Sequence, residues 1–216
     1  MTSNRTINRL SILVMTGIGL FIALYITAAL LYPGGSDADR FAKGFSWRHN
    51  YWCELMAPVA QNGMSNTARP VAIIALAVLA ISLLLFWYTI PFLFTSKSRL
   101  ALPMRVCGSG SMLVLPLMLT GRHDSIINIA GLFGCIAIIL LLVCLYHARR
   151  YFFFGAGILC LLLCGLNNYV YYSKDLLHCL PVIQKISFGV FLLWFGLMTY
   201  ALYKRRQYSE GTADSI

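Results

Sequence analysis

Six long stretches of this chain are apolar and nearly free of charged residues. Each approaches the length of about 20 residues that an α-helix needs to cross a bilayer. Only segments that satisfy their own backbone hydrogen bonds are stable in hydrocarbon, so the pattern predicts an all-α fold, a six-helix transmembrane bundle. The predicted helices cover residues 10–31, 71–94, 102–120, 126–146, 151–172 and 180–203.

The composition agrees with a membrane environment. Only 11% of the 216 residues are charged, against about 25% in a soluble domain. We expect one membrane domain over residues 1–206 and a disordered cytoplasmic tail at 207–216. The first apolar run is longer than the roughly 7–15 residues of a signal-peptide core, which favours a retained signal anchor.

The net charge of +10 does not indicate nucleic-acid binding, because the basic residues lie at the ends of the apolar runs. Of the 17 lysines and arginines, ten fall on the side of the N-terminus and seven on the other, four of them in a long loop at 33–69. The positive-inside rule predicts that both termini are cytoplasmic and that this loop after the first helix is on the outer side. The lack of an outer Asn-x-Ser/Thr acceptor is compatible with a bacterial inner membrane, which is the location we expect.

Most polar side chains collect on the predicted outer side, and no acidic, basic or histidine side chain lies at the midplane of a predicted helix. This distribution disfavours an ion channel or proton-coupled pump, which usually places such groups within the membrane. Buried polar groups need partners, so we expect the outer ones to surround one polar pocket. Its predicted members are His49, Asn50, Glu54, Asn62, Asn66, Asn167, Asn168, His178 and Lys185.

A structural role competes with a ligand pocket. Lys185 lies inside the sixth helix, and Glu54 or Asp175 is its natural partner in a clamp that holds the long loop. The loop also contains side chains at the helical spacing i, i+4, i+7 and i+8, which predicts a short amphipathic helix at the outer interface. These residues are Trp47, Tyr51, Glu54 and Leu55.

The three outer histidines raise the question of a catalytic metal. A zinc ion with an open position for water would be held by His49, His123 and His178 together with Glu54, Asp124 or Asp175. No two of these histidines have a ligand spacing such as His-x-x-x-His, and histidines that only form hydrogen bonds are commoner. We therefore expect no cofactor and assign no catalytic residue.

Two cysteines, Cys53 and Cys179, also fall on the predicted outer side, where thiols oxidise. A disulfide between them would tie the long loop to the last helical hairpin, provided that their Cα atoms lie within about 7 Å. The sequence leaves this pairing open.

The long loop carries an ordered motif. It contains Tyr32-Pro33-Gly34-Gly35, then Phe45-Ser46-x-x-x-Asn50, then Cys53-Glu54-Leu55 and Asn62-Gly63-x-x-Asn66. This motif resembles an uncharacterised family of six-helix bacterial membrane proteins, which is similar to the wider DRAM/FRAG/Sfk group. The resemblance covers residues 32–66, with Cys53 where serine is expected and Glu54 where aspartate is commoner. It implies a six-helix fold and no particular activity.

Three functions stay open from the sequence. We favour a non-enzymatic membrane protein that binds or organises lipid, a protein partner or a second copy of itself through the outer polar pocket. The second function is a membrane-embedded, metal-dependent lipid hydrolase that uses the three histidines. The third is a small carrier of neutral or amphiphilic solutes.

Overall fold

The computed structural model describes residues 4–94, 99–120, 123–174 and 176–211, with only the backbone described at 118–120, 123, 124, 206 and 208–211. Within these ranges the fold is all-helical, with no strand beyond isolated bridges at Gly34–Lys43 and Val59–Ser65. The predicted all-α class and the predicted number of six helices are confirmed for the described residues. The helices are α1 (Asn4–Leu31), α2 (Arg69–Thr89), α3 (Ala101–Val114), α4 (His123–His147), α5 (Tyr151–Ser173) and α6 (Leu180–Gly211).

Five helices of the described chain are long and apolar enough to cross a membrane, and α3 is not among them. Its α-helical part ends at Val114, and the chain continues as a 3-10 turn, Leu115–Thr120. Pro116 accounts for the change, because proline has no N–H to donate and its ring crowds the carbonyl of the preceding turn. The α-helix predicted over 102–120 is therefore shorter than expected.

The other helix ends differ from the prediction mainly where the sequence is polar. α1 begins at Asn4 rather than at residue 10, and α6 continues to Gly211, so the first part of the predicted disordered tail is helical. An apolar run marks the part of a helix that favours lipid, whereas backbone hydrogen bonding continues into polar residues. Residues 212–216 of the predicted tail lie outside the described chain.

The predicted single domain contains two compact units. The first unit comprises Met1–Gly19, Val78–Ile158 and Leu192–Ile216, and the second comprises Leu20–Ala77 and Leu159–Phe191. Helices α3 and α4 belong wholly to the first unit. The segment between α1 and α2 belongs to the second.

Close helix contacts in the first unit depend on small residues. Phe86, Trp87 and Phe195 pack with ring centroids 4.6–5.9 Å apart. Gly108 of α3 lies directly against the indole of Trp87, and a Cβ atom added at Gly108 would lie 2.2 Å from an indole carbon. Only glycine permits this approach.

Gly108→Ala should lower the free energy of unfolding by about 1–3 kcal/mol, because the added methyl group overpacks the buried Trp87. Gly110→Ala is the matched control in the same helix, since its Cβ atom would lie 3.6 Å from Phe133, an ordinary contact. Thermal unfolding of both variants in detergent measures the difference. Equal midpoints for the two variants would contradict the close packing of α3 on Trp87.

Candidate functional site

The α1–α2 connection, residues 32–68, folds back on itself immediately after α1. Gly34 and Gly35 adopt positive φ angles of 136° and 84°. Gly35 N donates to Ala42 O at 2.8 Å, and Asn62 N donates to Gly34 O at 3.2 Å. A Cβ atom at Gly35 would lie 2.3 Å from Asn62 N. The glycine pair is therefore required both by backbone conformation and by space.

Asn50 is the centre of the polar network in the second unit and is fully buried. Its Nδ2 donates to Gly35 O at 2.7 Å and to Glu54 Oε2, and its Oδ1 accepts from Ser46 N at 2.7 Å. Its backbone carbonyl accepts from Lys185 Nζ at 2.5 Å. Through its side chain Asn50 thus joins Gly35, Ser46 and Glu54, and through its backbone carbonyl it joins α6.

Glu54 is only 8% exposed, and both of its carboxylate oxygens accept hydrogen bonds from amides. The donors are Asn50 Nδ2 and Gln61 Nε2, the latter at 3.3 Å. Burial raises the pKa of the Glu54 carboxyl above its usual value, and the hydrogen bonds oppose part of this shift. The carboxyl group is therefore held in place rather than open to a substrate.

Lys185 of α6 makes its contacts with neutral groups. Besides Asn50 O, its Nζ donates to Pro181 O at 3.0 Å and lies 5.5 Å from the centroid of the Phe45 ring. Among the described residues, Lys185 and Glu54 are connected through Asn50 and do not form a direct ion pair. Asp175, the other expected partner, lies outside the described chain.

Trp52 attaches the α1–α2 connection to both α1 and α6. Its ring stacks on Tyr25 with centroids 4.5 Å apart, and Tyr25 Oη donates to Trp52 O at 2.9 Å. Trp52 N donates to Gln184 Oε1 at 3.1 Å. Trp52 contacts Phe188 as well, with ring centroids 5.2 Å apart. These contacts fix the connection at a point separate from Lys185.

The amphipathic helix predicted from Trp47 to Leu55 is not formed. The helical part is a short 3-10 turn, Trp52–Met56, in which Glu54 and Leu55 are buried. Before it, the side chain of Asn50 takes the Ser46 N–H into a local turn. Short polar side chains compete in this way with regular helix formation.

The remaining predicted pocket residues are distributed among several positions. Asn66 Nδ2 donates to the carbonyls of Glu54, Leu55 and Ala57 at 2.8–3.2 Å, so it supports the 3-10 turn. Asn62 Oδ1 accepts from Met64 N within its own turn. Asn167 Nδ2 donates to Ser187 Oγ at 2.6 Å, which joins α5 to α6. His49 is half-buried, and Asn168 and His178 are exposed.

Gln61 and Gln184 complete the network and were not among the predicted pocket residues. Gln61 bonds to Glu54, and Gln184 bonds to the backbone of Trp52. Their positions in the sequence could have indicated that they belong to the network, because Gln61 precedes Asn62 and Gln184 precedes Lys185. An amide beside a predicted member has the same need for a partner when buried.

Metal ligation and thiol chemistry have little support in this region. Among the described side chains, no group of three or more His, Cys, Asp or Glu residues is placed to hold a metal ion. The side chains of His123 and Asp124 lie outside that description. Cys53 and Cys179 are both free thiols. Burial raises the pKa of the Cys53 thiol to about 11, which keeps it protonated at neutral pH.

Comparison with known proteins does not identify the chain. No family model, curated protein or solved structure matches it. The function must therefore be inferred from the geometry of the site.

The stability of the protein should fall as pH rises from about 4.5 through the raised pKa of Glu54. Because the folded state binds this proton more tightly than the unfolded chain, the stabilisation is complete at low pH and is lost as the carboxyl ionises. Glu54→Gln should flatten this part of the profile. Thermal unfolding between about pH 4 and pH 8 measures the effect.

Asp39→Asn is the matched control for this experiment. It removes an exposed carboxylate from the same connection and should keep the wild-type profile. If Glu54→Gln unfolds with the same pH dependence as the wild type, the buried carboxyl does not control the stability of this region.

Proposed function

We propose that this chain is a non-enzymatic, multi-pass integral membrane protein that binds and organises membrane lipid through its α1–α2 connection. The observation that carries the proposal is that the connection buries its central polar side chains and exposes two of its aromatic ones. Asn50 and Glu54 are turned inward and hydrogen-bonded. Phe41 is 94% exposed and Trp47 is 52% exposed.

The exposed chemistry of the connection matches that of a lipid headgroup region. Arg40, Lys43 and Arg48 are exposed in the same segment as Phe41 and Trp47. Tryptophan rings favour the membrane interface, and basic side chains attract anionic headgroups. The internal network holds the connection before any lipid binds, which reduces the entropy lost on binding.

The preferred lipid under this proposal is anionic. The three exposed cations of the connection outnumber its two exposed carboxylates, Asp37 and Asp39. Since the carboxylate of Glu54 is buried among amide donors, it contributes little repulsion at the surface. A protein partner or a second copy of the chain would use the same exposed side chains.

We also propose that the connection is on the outer side of a bacterial inner membrane and that both termini are cytoplasmic. This orientation needs α3 to cross the membrane. α3 has 14 residues and its 3-10 extension has 6, which together rise about 33 Å, close to the hydrocarbon thickness of about 30 Å. The distribution of lysine and arginine supports the same orientation.

Membership of the six-helix bacterial family is part of this proposal. The residues that carry the resemblance are those on which the α1–α2 connection depends. Gly34 and Gly35 make its first turn, Asn50 and Glu54 form the network, and Asn66 supports the 3-10 turn. A family motif is expected to contain residues that a fold requires.

Cysteine labelling tests the orientation. Met64→Cys, at an exposed position of the connection, should react with a membrane-impermeant maleimide added to intact spheroplasts. Lys204→Cys, exposed near the end of α6, should react only after lysis. The wild-type protein controls for its seven native cysteines. The opposite labelling order would overturn the proposed orientation.

Fluorescence quenching tests the lipid contact. Trp47 is the exposed member of the four tryptophans, so the difference between wild-type and Trp47→Phe emission isolates its signal. In vesicles, this signal should be quenched by a lipid labelled near the headgroup, and more strongly in phosphatidylglycerol than in phosphatidylcholine. Arg48→Gln should reduce the preference for the anionic lipid. Quenching by acrylamide alone, with none by the labelled lipid, would contradict lipid binding.

A further inference from the structure

α5 is the least enclosed of the candidate membrane spans in the described chain. Only 17% of its most apolar 18 residues are buried within the protein, against 33–50% in the other four spans. Its residues from Leu159 onward belong to the second unit. Within that part, Leu162, Gly165, Tyr169 and Tyr172 are exposed and follow one another at spacings of three or four residues, so they lie on one face of the helix.

An apolar face of this kind needs no protein partner, because lipid tails are as apolar as leucine. Asn168 is different. It is exposed on the same face, three residues after Gly165 and four before Tyr172, and its amide has no hydrogen-bond partner within the described part of the chain. The amide has two donor hydrogens and an acceptor oxygen, and hydrocarbon offers none of them a partner.

The depth of Asn168 keeps water from supplying that partner. The 23 residues of the span Tyr151–Ser173 rise about 35 Å, against about 30 Å for the hydrocarbon layer. Asn168 is five residues from the end of the span, so in a centred span it lies about 5 Å inside the hydrocarbon. Its single methylene cannot carry the amide to the surface as the long stem of lysine carries an ammonium.

Two other polar side chains of the spans show how this need is met within the chain. Thr27, exposed on α1, donates to Ala23 O of its own helix at 2.9 Å. Asn167, the residue before Asn168, donates to Leu163 O at 2.8 Å and to Ser187 Oγ at 2.6 Å. The amide of Asn168 has neither arrangement, so it is left for a partner on another molecule.

We propose that α5 pairs with α5 of a second copy of this chain through Gly165 and Asn168. Copies inserted in the same orientation are related by a two-fold axis along the membrane normal, so each residue of the face meets its own counterpart at the same depth. An asparagine amide is complementary to itself, because each amide can donate to the oxygen of the other. A different protein would need a matching polar group at that depth.

Gly165 allows the two helices to approach closely. No heavy atom lies within 4 Å of the position that a Cβ atom would take at Gly165, so this position is open in the single chain. Small residues at a helix interface let the backbones approach each other, and the short side chain of Asn168 reaches its counterpart only at such an approach. The pairing rests on the membrane insertion proposed above and not on lipid binding by the α1–α2 connection.

Dimerisation of the full-length protein in phosphatidylcholine vesicles tests the pairing. With one fluorophore on each chain, single-molecule photobleaching over a series of protein-to-lipid ratios gives the dissociation constant of the dimer. Asn168→Leu should weaken dimerisation about tenfold, as expected for the loss of hydrogen bonds between helices in lipid. Gly165→Leu should weaken it as well, because its side chain holds the backbones apart. Asn168→Gln should keep most of the affinity, since it retains the amide.

Thr27→Val is the matched control. It removes an exposed hydroxyl whose hydrogen bond is internal to α1, and it should leave the dissociation constant unchanged. A wild type that stays monomeric at every ratio would overturn the proposal, and so would an Asn168→Leu variant that dimerises as the wild type does. Equal losses in Thr27→Val and Asn168→Leu would show a nonspecific effect of removing polar groups and overturn it too.

Failure of the pairing can be distinguished from failure of the proposed function. Alkaline carbonate should leave the wild type and each variant in the membrane fraction, and the lipid quenching of Trp47 does not involve the exposed face of α5. Monomeric protein that is retained in the membrane and still quenched would refute the pairing alone. Protein released by carbonate would refute membrane insertion and, with it, the pairing.

Discussion

Polar groups removed from water must find partners within the protein, and the α1–α2 connection meets this requirement through Asn50. The side chain of Asn50 satisfies Ser46 N–H, Gly35 C=O and the Glu54 carboxylate, while its own carbonyl holds Lys185. The loss of Asn50 would leave several buried groups unpaired at once, because they share this one partner. The inward position of Glu54 follows from this arrangement.

The helical part of the fold was largely readable from the sequence, because a long apolar segment has few alternatives to a helix in lipid. The ends of the helices were less readable. Hydropathy falls where polar residues begin, as at Asn4 and beyond Lys204, but backbone hydrogen bonding continues there. Pro116 was visible in the sequence, yet only the structure shows that the α-helix continues as a 3-10 turn at this proline.

The site was readable in part. Asn50, Glu54 and Lys185 are polar residues in or beside apolar segments, so their need for partners could be predicted. Their actual partners include the backbone carbonyls of Gly35 and Pro181. Every residue has a backbone carbonyl, so the pattern of side chains does not indicate which carbonyl will be the partner. Helical spacing in the loop was misleading because it ignores hydrogen bonds from side chains to the backbone. The exposure of His178 and Asn168 depends on tertiary packing, which spacing does not encode.

The bond between Lys185 and Asn50 has a consequence for biosynthesis. Its two residues are separated by 135 positions in the chain. At a translation rate of about 5–20 residues per second, roughly 7–27 seconds pass between their emergence from the ribosome. During this interval the α1–α2 connection lacks the bond that α6 supplies. The connection can therefore complete its hydrogen bonds only after α6 has been synthesised.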